Sequence, residues 1–296
     1  MAVPTLPDDF RARMTQPPQR FTTPSGYSMA YDVRGDPNGR PCFWFHGSPS
    51  CRLEAVLLDG FGRAHGHRFI ATDRPGIGGS SPSPGWTLSS FCLDVVALAD
   101  HLDLSRFSVA GGSGGGPFVL AMASVAPTRI DRAVSLACAG AFEHEALRAH
   151  IGWVDRLTAW VAPMPLVLPM YFGSLGLVSR VPPSVVQIVT KTWPGSVPGG
   201  DSRLVEVFMR TLREATAQGS AGVVEDTKVL HRPWGFELGS IGIDIDFVNG
   251  TKDEFVPFAY GEELAARIPR ARVHKTIDAD HFHTIFDTNR LEQLLG

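Results

Sequence analysis

The chain has 296 residues, of which 44% are hydrophobic and 19% charged, enough for one large globular domain or for a core with a subdomain. This composition excludes a disordered chain, a collagen and a small disulfide scaffold. The 27 Lys and Arg residues against 30 Asp and Glu give a net charge of -3, so we expect no general attraction to nucleic acid or anionic lipid.

The four cysteines are scattered, with no Cys-x-x-Cys pair: Cys42, Cys51, Cys92 and Cys138. This spacing predicts neither a zinc knuckle nor a redox motif. We expect no metal and no cofactor, and a reducing compartment, the cytoplasm, fits best. The first twenty residues lack the apolar stretch of a secretory signal peptide, so export is not expected.

Seven short β-rich runs alternate with glycine turns and helical stretches. This alternation predicts an α/β fold with a mostly parallel central sheet and helices on both faces. Polar groups at the strand carboxyl ends would then gather at one edge, where open sheets bind ligands. The predicted strands cover 28–34, 41–47, 68–73, 106–112, 132–139, 243–250 and 272–278.

One helix is predicted between the strands near 70 and 110, over residues 88–104. Apolar residues recur there at spacings of three and four, which forms a single apolar stripe that we expect to pack on the sheet. The stripe consists of Leu88, Phe91, Val95, Leu98 and Leu102.

Residues 141–235 lack the strand–helix alternation and are rich in Trp, Met, Pro and Leu. We interpret this inserted segment as a helical cap between two parts of one core, residues 1–140 and 236–296. Inside it, residues 157–179 carry no charge and are long enough to span a bilayer. Repeated prolines and glycines would interrupt a spanning helix, so we expect short, broken apolar helices and no membrane span.

A cap of this kind would cover a hydrophobic pocket. Large apolar side chains in the segment are therefore candidates for substrate contact, and the alternative is that they are ordinary core residues. The candidates are Trp153, Trp160, Met164, Met170 and Phe172.

The sharpest local motif is Gly111-Gly112-Ser113-Gly114-Gly115, a G-x-S-x-G sequence between an apolar strand and an apolar helix. A serine in a tight strand-to-helix turn needs neighbours without Cβ atoms, and the outer glycines meet that demand. Ser113 is therefore the candidate nucleophile. A plain glycine-rich turn or an anion-binding helix N-terminus is the alternative interpretation.

A serine hydroxyl needs a base to take its proton and a carboxylate to orient that base. His281 is the leading candidate base because it follows the last predicted strand and begins the last predicted helix. His283 is the alternative. Asp253 is the candidate acid because it lies in the turn after the strand ending near 250, and Glu254 is its nearest substitute.

Other acids are also candidates for the third position. Glu143 follows the strand that ends near residue 139, so it occupies a second possible acid position. Asp244 and Asp246 lie inside a predicted strand, where side chains alternate between the two faces, and they are less well placed.

The negative charge that develops on a substrate oxygen needs fixed N–H donors. The turn after the second predicted strand supplies the backbone N–H of Ser48, and Gly114 supplies the other donor. His46 in the same turn is interpreted as a structural hydrogen-bonding residue. Asp73 and Arg74 in the next turn are expected to hold their loop through a local ion pair.

Five motifs in this order resemble the α/β-hydrolase superfamily with an inserted cap: HGSP, DRPGIGGSS, GGSGGG, GTKDEFVP and DADHFHT. The resemblance implies Ser113 as nucleophile, Asp253 as acid, His281 as base, and Ser48 and Gly114 as the oxyanion hole. Two positions depart from the family pattern: Asp280 stands where Gly often precedes the histidine, and Gly112 stands where a bulky residue is common. A serine nucleophile argues against the dehalogenase and epoxide-hydrolase branches.

The motifs predict a cofactor-free serine hydrolase acting on a small to medium, fairly apolar carboxylic ester or related acyl compound. One alternative is a hydrolase that cleaves a carbon–carbon bond of a β-diketone-like substrate with the same triad. Another is a hydrolase-fold binding protein or receptor with negligible turnover. The sequence determines neither the substrate nor the oligomeric state.

Overall fold

The computed structural model describes residues 4–140, 145–152, 156–157, 160, 164, 166–182 and 202–296. In this part of the chain one sheet forms the centre of the fold. Its strands are β1 Gln19–Thr22, β2 Ser28–Gly35, β3 Arg40–Phe45, β4 His67–Thr72, β5 Phe107–Gly112, β6 Ile130–Leu136, β7 Ile245–Gly250 and β8 Ala271–Thr276.

The strands lie in the order β1-β2-β4-β3-β5-β6-β7-β8. β1 and β2 pair antiparallel with their neighbours, and all other pairs are parallel. The predicted α/β fold and its seven strands are confirmed. β1, which the sequence analysis missed, is a short and mostly exposed edge strand.

Four of the described helices, α5 to α8 in the list below, lie between β6 and β7 in the sequence, and the other seven lie before β6 or after β7. They are α1 Phe10–Arg13, α2 Asp59–His65, α3 Leu88–His101, α4 Gly116–Val125, α5 Glu145–Arg148, α6 Val167–Val178, α7 Ser202–Ala215, α8 Ala221–His231, α9 Phe258–Ala265, α10 His281–Ile285 and α11 Thr288–Leu295.

The predicted helix over 88–104 is α3, and its start and buried face follow from the sequence. Thr87 caps the N-terminus by accepting from the backbone N–H of Ser90, whose side chain bonds back to Thr87. Four of the five stripe residues are buried, and Leu102 at the end is partly exposed. The ring of Phe91 lies 6.3 Å from that of Phe45 on β3, so the apolar stripe faces the sheet.

Helices α5 to α8 belong to the inserted segment, residues 141–235. Gln218, between α7 and α8, donates to the backbone carbonyls of Gly78 and Ser80 at 2.8 Å. At the start of α8, a Cβ on Gly222 would lie 2.0 Å from the carbonyl oxygen of Gly76. This end of the segment therefore contacts the loop that follows β4. Within the described ranges, no helix is both long and apolar enough to cross a bilayer.

Candidate active site

Ser113 lies where β5 ends and the chain turns into α4. Its φ angle is 53°, in the left-handed region that side chains other than glycine rarely adopt. A Cβ on Gly111 would lie 2.6 Å from the carbonyl oxygen of Gly115, and one on Gly115 would lie 2.0 Å from that of Phe45. The turn therefore closes only because both residues are glycine.

The residue before Ser113 contacts the C-terminal part of the chain. A Cβ on Gly112 would lie 2.4 Å from Cγ2 of Ile285, and Ile285 is the last residue of α10, which begins at His281. Gly112 thus allows α10 to approach the end of β5. A side chain at position 112 would overlap that of Ile285.

His281 and Asp253 form a direct pair, with 2.8 Å between Nδ1 of the imidazole and Oδ2 of the carboxylate. The other carboxylate oxygen, Oδ1, accepts from the backbone N–H groups of Phe255 and Val256, each at 2.9 Å. A carboxylate only accepts, so Nδ1 carries the proton and Nε2 is the nitrogen able to take one. Asp253 is buried, which strengthens its hold on the imidazole.

The alternative candidates have other partners or positions. His283 pairs through Nδ1 with Asp280 at 2.7 Å, and Asp246 pairs with His274 at 2.7 Å. Asp244 bonds Arg270 and Arg272. Glu254 is exposed, and Glu143 lies outside the described residues.

The two expected oxyanion donors lie side by side. A Cβ on Gly114 would be 3.2 Å from the backbone nitrogen of Ser48 and 2.9 Å from its Cβ. A Cβ on Gly47 would in turn be 3.8 Å from the Cβ of Ser113. The turn after β3 therefore borders the turn that carries the serine, which is the arrangement an acyl-transfer site requires.

Known proteins share this architecture. Residues 45–166 match the family model described as the alpha/beta hydrolase fold. An esterase from Exiguobacterium antarcticum superposes with a TM-score of 0.68 at 16% identity, over 94% of this chain and 97% of that one. A meta-cleavage product hydrolase from Pseudomonas fluorescens IP01 gives a TM-score of 0.60 at 19% identity, over 94% and 96%. This chain therefore has the α/β-hydrolase fold.

Curated proteins also resemble part of this chain in sequence. A non-heme chloroperoxidase of Streptomyces lividans is 36% identical over 118 residues, which are 38% of this chain and 42% of that protein. The match therefore spans less than half the length of this curated relative.

The loop that follows β4 is held by ion pairs and hydrogen bonds other than those predicted from the sequence. The expected local ion pair between Asp73 and Arg74 is wrong. Asp73 instead accepts from Arg52 Nη1 at 2.7 Å and from the backbone N–H of Gly79 at 2.7 Å, while Arg74 pairs with Asp226 on α8. Consecutive side chains point in different directions here, so each finds a partner distant in the sequence.

Two further side chains fix the turn after β3. His46 is fully buried, and its Nδ1 donates to the carbonyl of Gly47 at 2.8 Å, as expected for a structural residue. Burial lowers the pKa of His46 well below its usual range. Glu54, which the sequence analysis missed, accepts from Trp44 Nε1 at 3.0 Å and from the Gly47 N–H at 3.2 Å. Burial raises the pKa of the Glu54 carboxyl.

The apolar side chains expected to contact substrate have diverse surroundings. Trp160 and Met170 are 67% and 72% exposed, and side chains this exposed do not line an enclosed pocket. Phe172 is buried in the core, which fits the alternative of an ordinary core residue, and Met164 is partly buried. Trp153 lies outside the described residues.

Proposed function

We propose that this protein is a serine hydrolase acting on a small to medium, fairly apolar carboxylic ester or related acyl compound. The observation that carries the proposal is the buried Asp253 carboxylate bonded to Nδ1 of His281 at 2.8 Å. This bond leaves Nε2 of His281 as the nitrogen that can accept a proton. His281 lies on α10, which contacts the nucleophile turn through Ile285.

In the proposed reaction, His281 takes the proton of Ser113 as the Ser113 oxygen attacks the substrate carbonyl. The backbone N–H groups of Ser48 and Gly114 stabilise the negative charge on the carbonyl oxygen. His281 then protonates the leaving group, an acyl-enzyme forms on Ser113, and water activated by His281 hydrolyses it. Asp253 holds the imidazole in the required tautomer throughout.

The inserted segment is proposed as the cap over this site, dividing the core into residues 1–140 and 236–296. Contact between the substrate and the large apolar side chains of this segment stays a prediction for Trp153, Trp160, Met164, Met170 and Phe172. This prediction has the least support for Trp160 and Met170, which are exposed. A cytoplasmic location is also part of the proposal, supported by the four cysteines, which are buried free thiols.

Turnover of p-nitrophenyl esters by the wild type and by Ser113→Ala tests the proposal. We expect Ser113→Ala to lose activity by about 10³-fold or more. Ser108→Ala, at a serine on the preceding strand β5, is the matched control and should keep wild-type rates. Equal rates for the wild type and Ser113→Ala would disprove the nucleophile assignment.

A second candidate is hydrolysis of a carbon–carbon bond in a β-diketone-like substrate. It is favoured by the fold shared with the meta-cleavage product hydrolase. Consumption of a vinylogous diketone, with no turnover across an ester panel, would favour this reaction over ester hydrolysis.

A further inference from the structure

The buried ion pair between Arg74 and Asp226 links two distant parts of the chain. Arg74 follows β4, and Asp226 lies on α8, 152 positions later. Nε bonds Oδ1 at 2.6 Å and Nη2 bonds Oδ2 at 2.9 Å, a bidentate arrangement that fixes both groups in one plane. Their exposed fractions are 1% and 0%, so water does not compete for these bonds.

The remaining bonds of this pair end on the turn after β3. Arg74 donates through Nη1 to the carbonyl of His46 at 2.7 Å and through Nη2 to that of Gly47 at 2.8 Å. Ser48 donates its Oγ–H to Oδ2 of Asp226 at 2.7 Å. Three consecutive residues are thus tied to one ion pair, and the third carries the backbone N–H expected in the oxyanion hole.

The same contacts extend to the nucleophile side of the site. The Arg74 guanidinium lies over the ring of Phe118 at 4.8 Å, and Phe118 is on α4, directly after the Ser113 turn. A Cβ on Gly114 would lie 3.2 Å both from the nitrogen of Ser48 and from Cδ1 of Leu230. Leu230 is one helical turn beyond Asp226, so α8 covers the place where the two donors meet.

We propose that Asp226 and Arg74 are positioning residues for the oxyanion hole, acting through Ser48. A buried ion pair by itself adds little net stability over apolar side chains of similar size. Here, however, its bonds end on the backbone of a turn whose N–H must be held within a few tenths of an ångström of its productive position. This inference rests on the proposed serine-hydrolase function, and it makes α8 of the inserted segment part of the catalytic apparatus.

A second ion pair provides a matched control. Arg52 bonds Glu214 on α7 at 2.8 Å, so it also joins the core to a helix of the inserted segment. The Glu214 side chain is 32% exposed, and the bonds of Arg52 go to Asp73 and Glu214 rather than to residues 46–48.

The test compares kcat and KM of full-length Asp226→Asn, Ser48→Ala and Glu214→Gln with the wild type on a p-nitrophenyl ester. We expect kcat to fall by about 10- to 10³-fold in the first two, with KM nearly unchanged, because the lost interaction belongs to the transition state. A boronic acid that forms a tetrahedral adduct should lose affinity in the same proportion. Glu214→Gln should stay within about twofold of the wild type.

Hydrogen exchange of the backbone amides of residues 46–48 and Ser50 gives a readout that needs no substrate. We expect faster exchange in Asp226→Asn than in the wild type or Glu214→Gln. Unchanged exchange, unchanged kcat in folded Asp226→Asn and Ser48→Ala, or an equal loss in Glu214→Gln would overturn the inference. A wild type that hydrolyses no ester but shows the exchange difference would overturn the proposed function, and with it the catalytic role of the ion pair, while confirming that the ion pair holds residues 46–48.

Discussion

At the nucleophile turn, the residues without side chains matter as much as the serine. Ser113 adopts a φ of 53°, a strained conformation that persists only where the surroundings enforce it. Gly111 and Gly115 allow the chain to close on itself, whereas Gly112 serves a different purpose. Its own φ of -109° is accessible to any residue, so only the contact with Ile285 excludes a side chain there.

This contact predicts the outcome of a double-mutant cycle. Gly112→Ala should lower the free energy of unfolding by about 1–3 kcal/mol, because the new methyl group overlaps Ile285. Ile285→Ala removes the γ-carbons that the methyl group overlaps and leaves only Cβ, 3.3 Å away. The double variant Gly112→Ala/Ile285→Ala should therefore be more stable than the sum of the single effects by about 1 kcal/mol. Urea denaturation measures all four proteins, and additive effects would show that the two residues do not interact.

At the scale of elements, the beginnings of β3 and β4 carry a titratable pair. Arg40 and His67 are register partners, and Arg40 Nη2 lies 3.2 Å from Nε2 of His67. Nε2 therefore accepts, and the ring is neutral. The imidazole is buried and stacks on Phe61 at 5.6 Å. Burial, with the nearby Arg40 charge, lowers the pKa of His67 to about 4.

The direction of the resulting pH dependence follows from proton uptake. The unfolded chain binds a proton at His67 near pH 6.5, while the folded chain does so only near pH 4. Stability should therefore fall as the pH is lowered through this range, by up to about 3 kcal/mol from this residue. His67→Phe should lose less stability between pH 7 and pH 4.5 than the wild type or the exposed control His101→Phe. Identical losses in urea denaturation would contradict the assignment.

The elements differ in how far local sequence determines them. The buried strands β3, β4, β5 and β7 were predictable because each is a short, mostly apolar run that ends at or next to Gly, Asp or His. β1 was not, because its four residues, QRFT, are stabilised by pairing with β2 rather than by an apolar pattern of their own. In the site, the Asp253 and His281 candidates followed from their positions after strands. Arg74 and Asp226 gave no local signal, since their partnership depends on how α8 docks on the core.

At the scale of the whole molecule, polar contacts join the inserted segment to the core, and one of them, between Arg74 and Asp226, is fully buried. Arg74 bonds Asp226, Arg52 bonds Glu214, and Gln218 bonds two carbonyls of the loop after β4. Breaking the first of these would leave an uncompensated buried charge, at a cost of about 3–5 kcal/mol. Helices α7 and α8 therefore should not unfold while the core stays folded.

Thermal unfolding tests this coupling directly. We expect one cooperative transition in scanning calorimetry, with the same midpoint by tryptophan fluorescence and by far-ultraviolet circular dichroism. Two separate transitions, the earlier one accompanied by loss of helix alone, would show that the inserted segment unfolds independently.

The central claim is that Ser113 is activated by His281 and Asp253. The most direct measurement is the rate and site of labelling by a fluorophosphonate, followed by mass spectrometry of the intact and digested protein. We predict a single adduct on Ser113, formed about 10³-fold more slowly in His281→Ala and at nearly the wild-type rate in His283→Ala. An adduct on another residue, negligible labelling of the wild type, or equal rates in the wild type and His281→Ala would contradict the account.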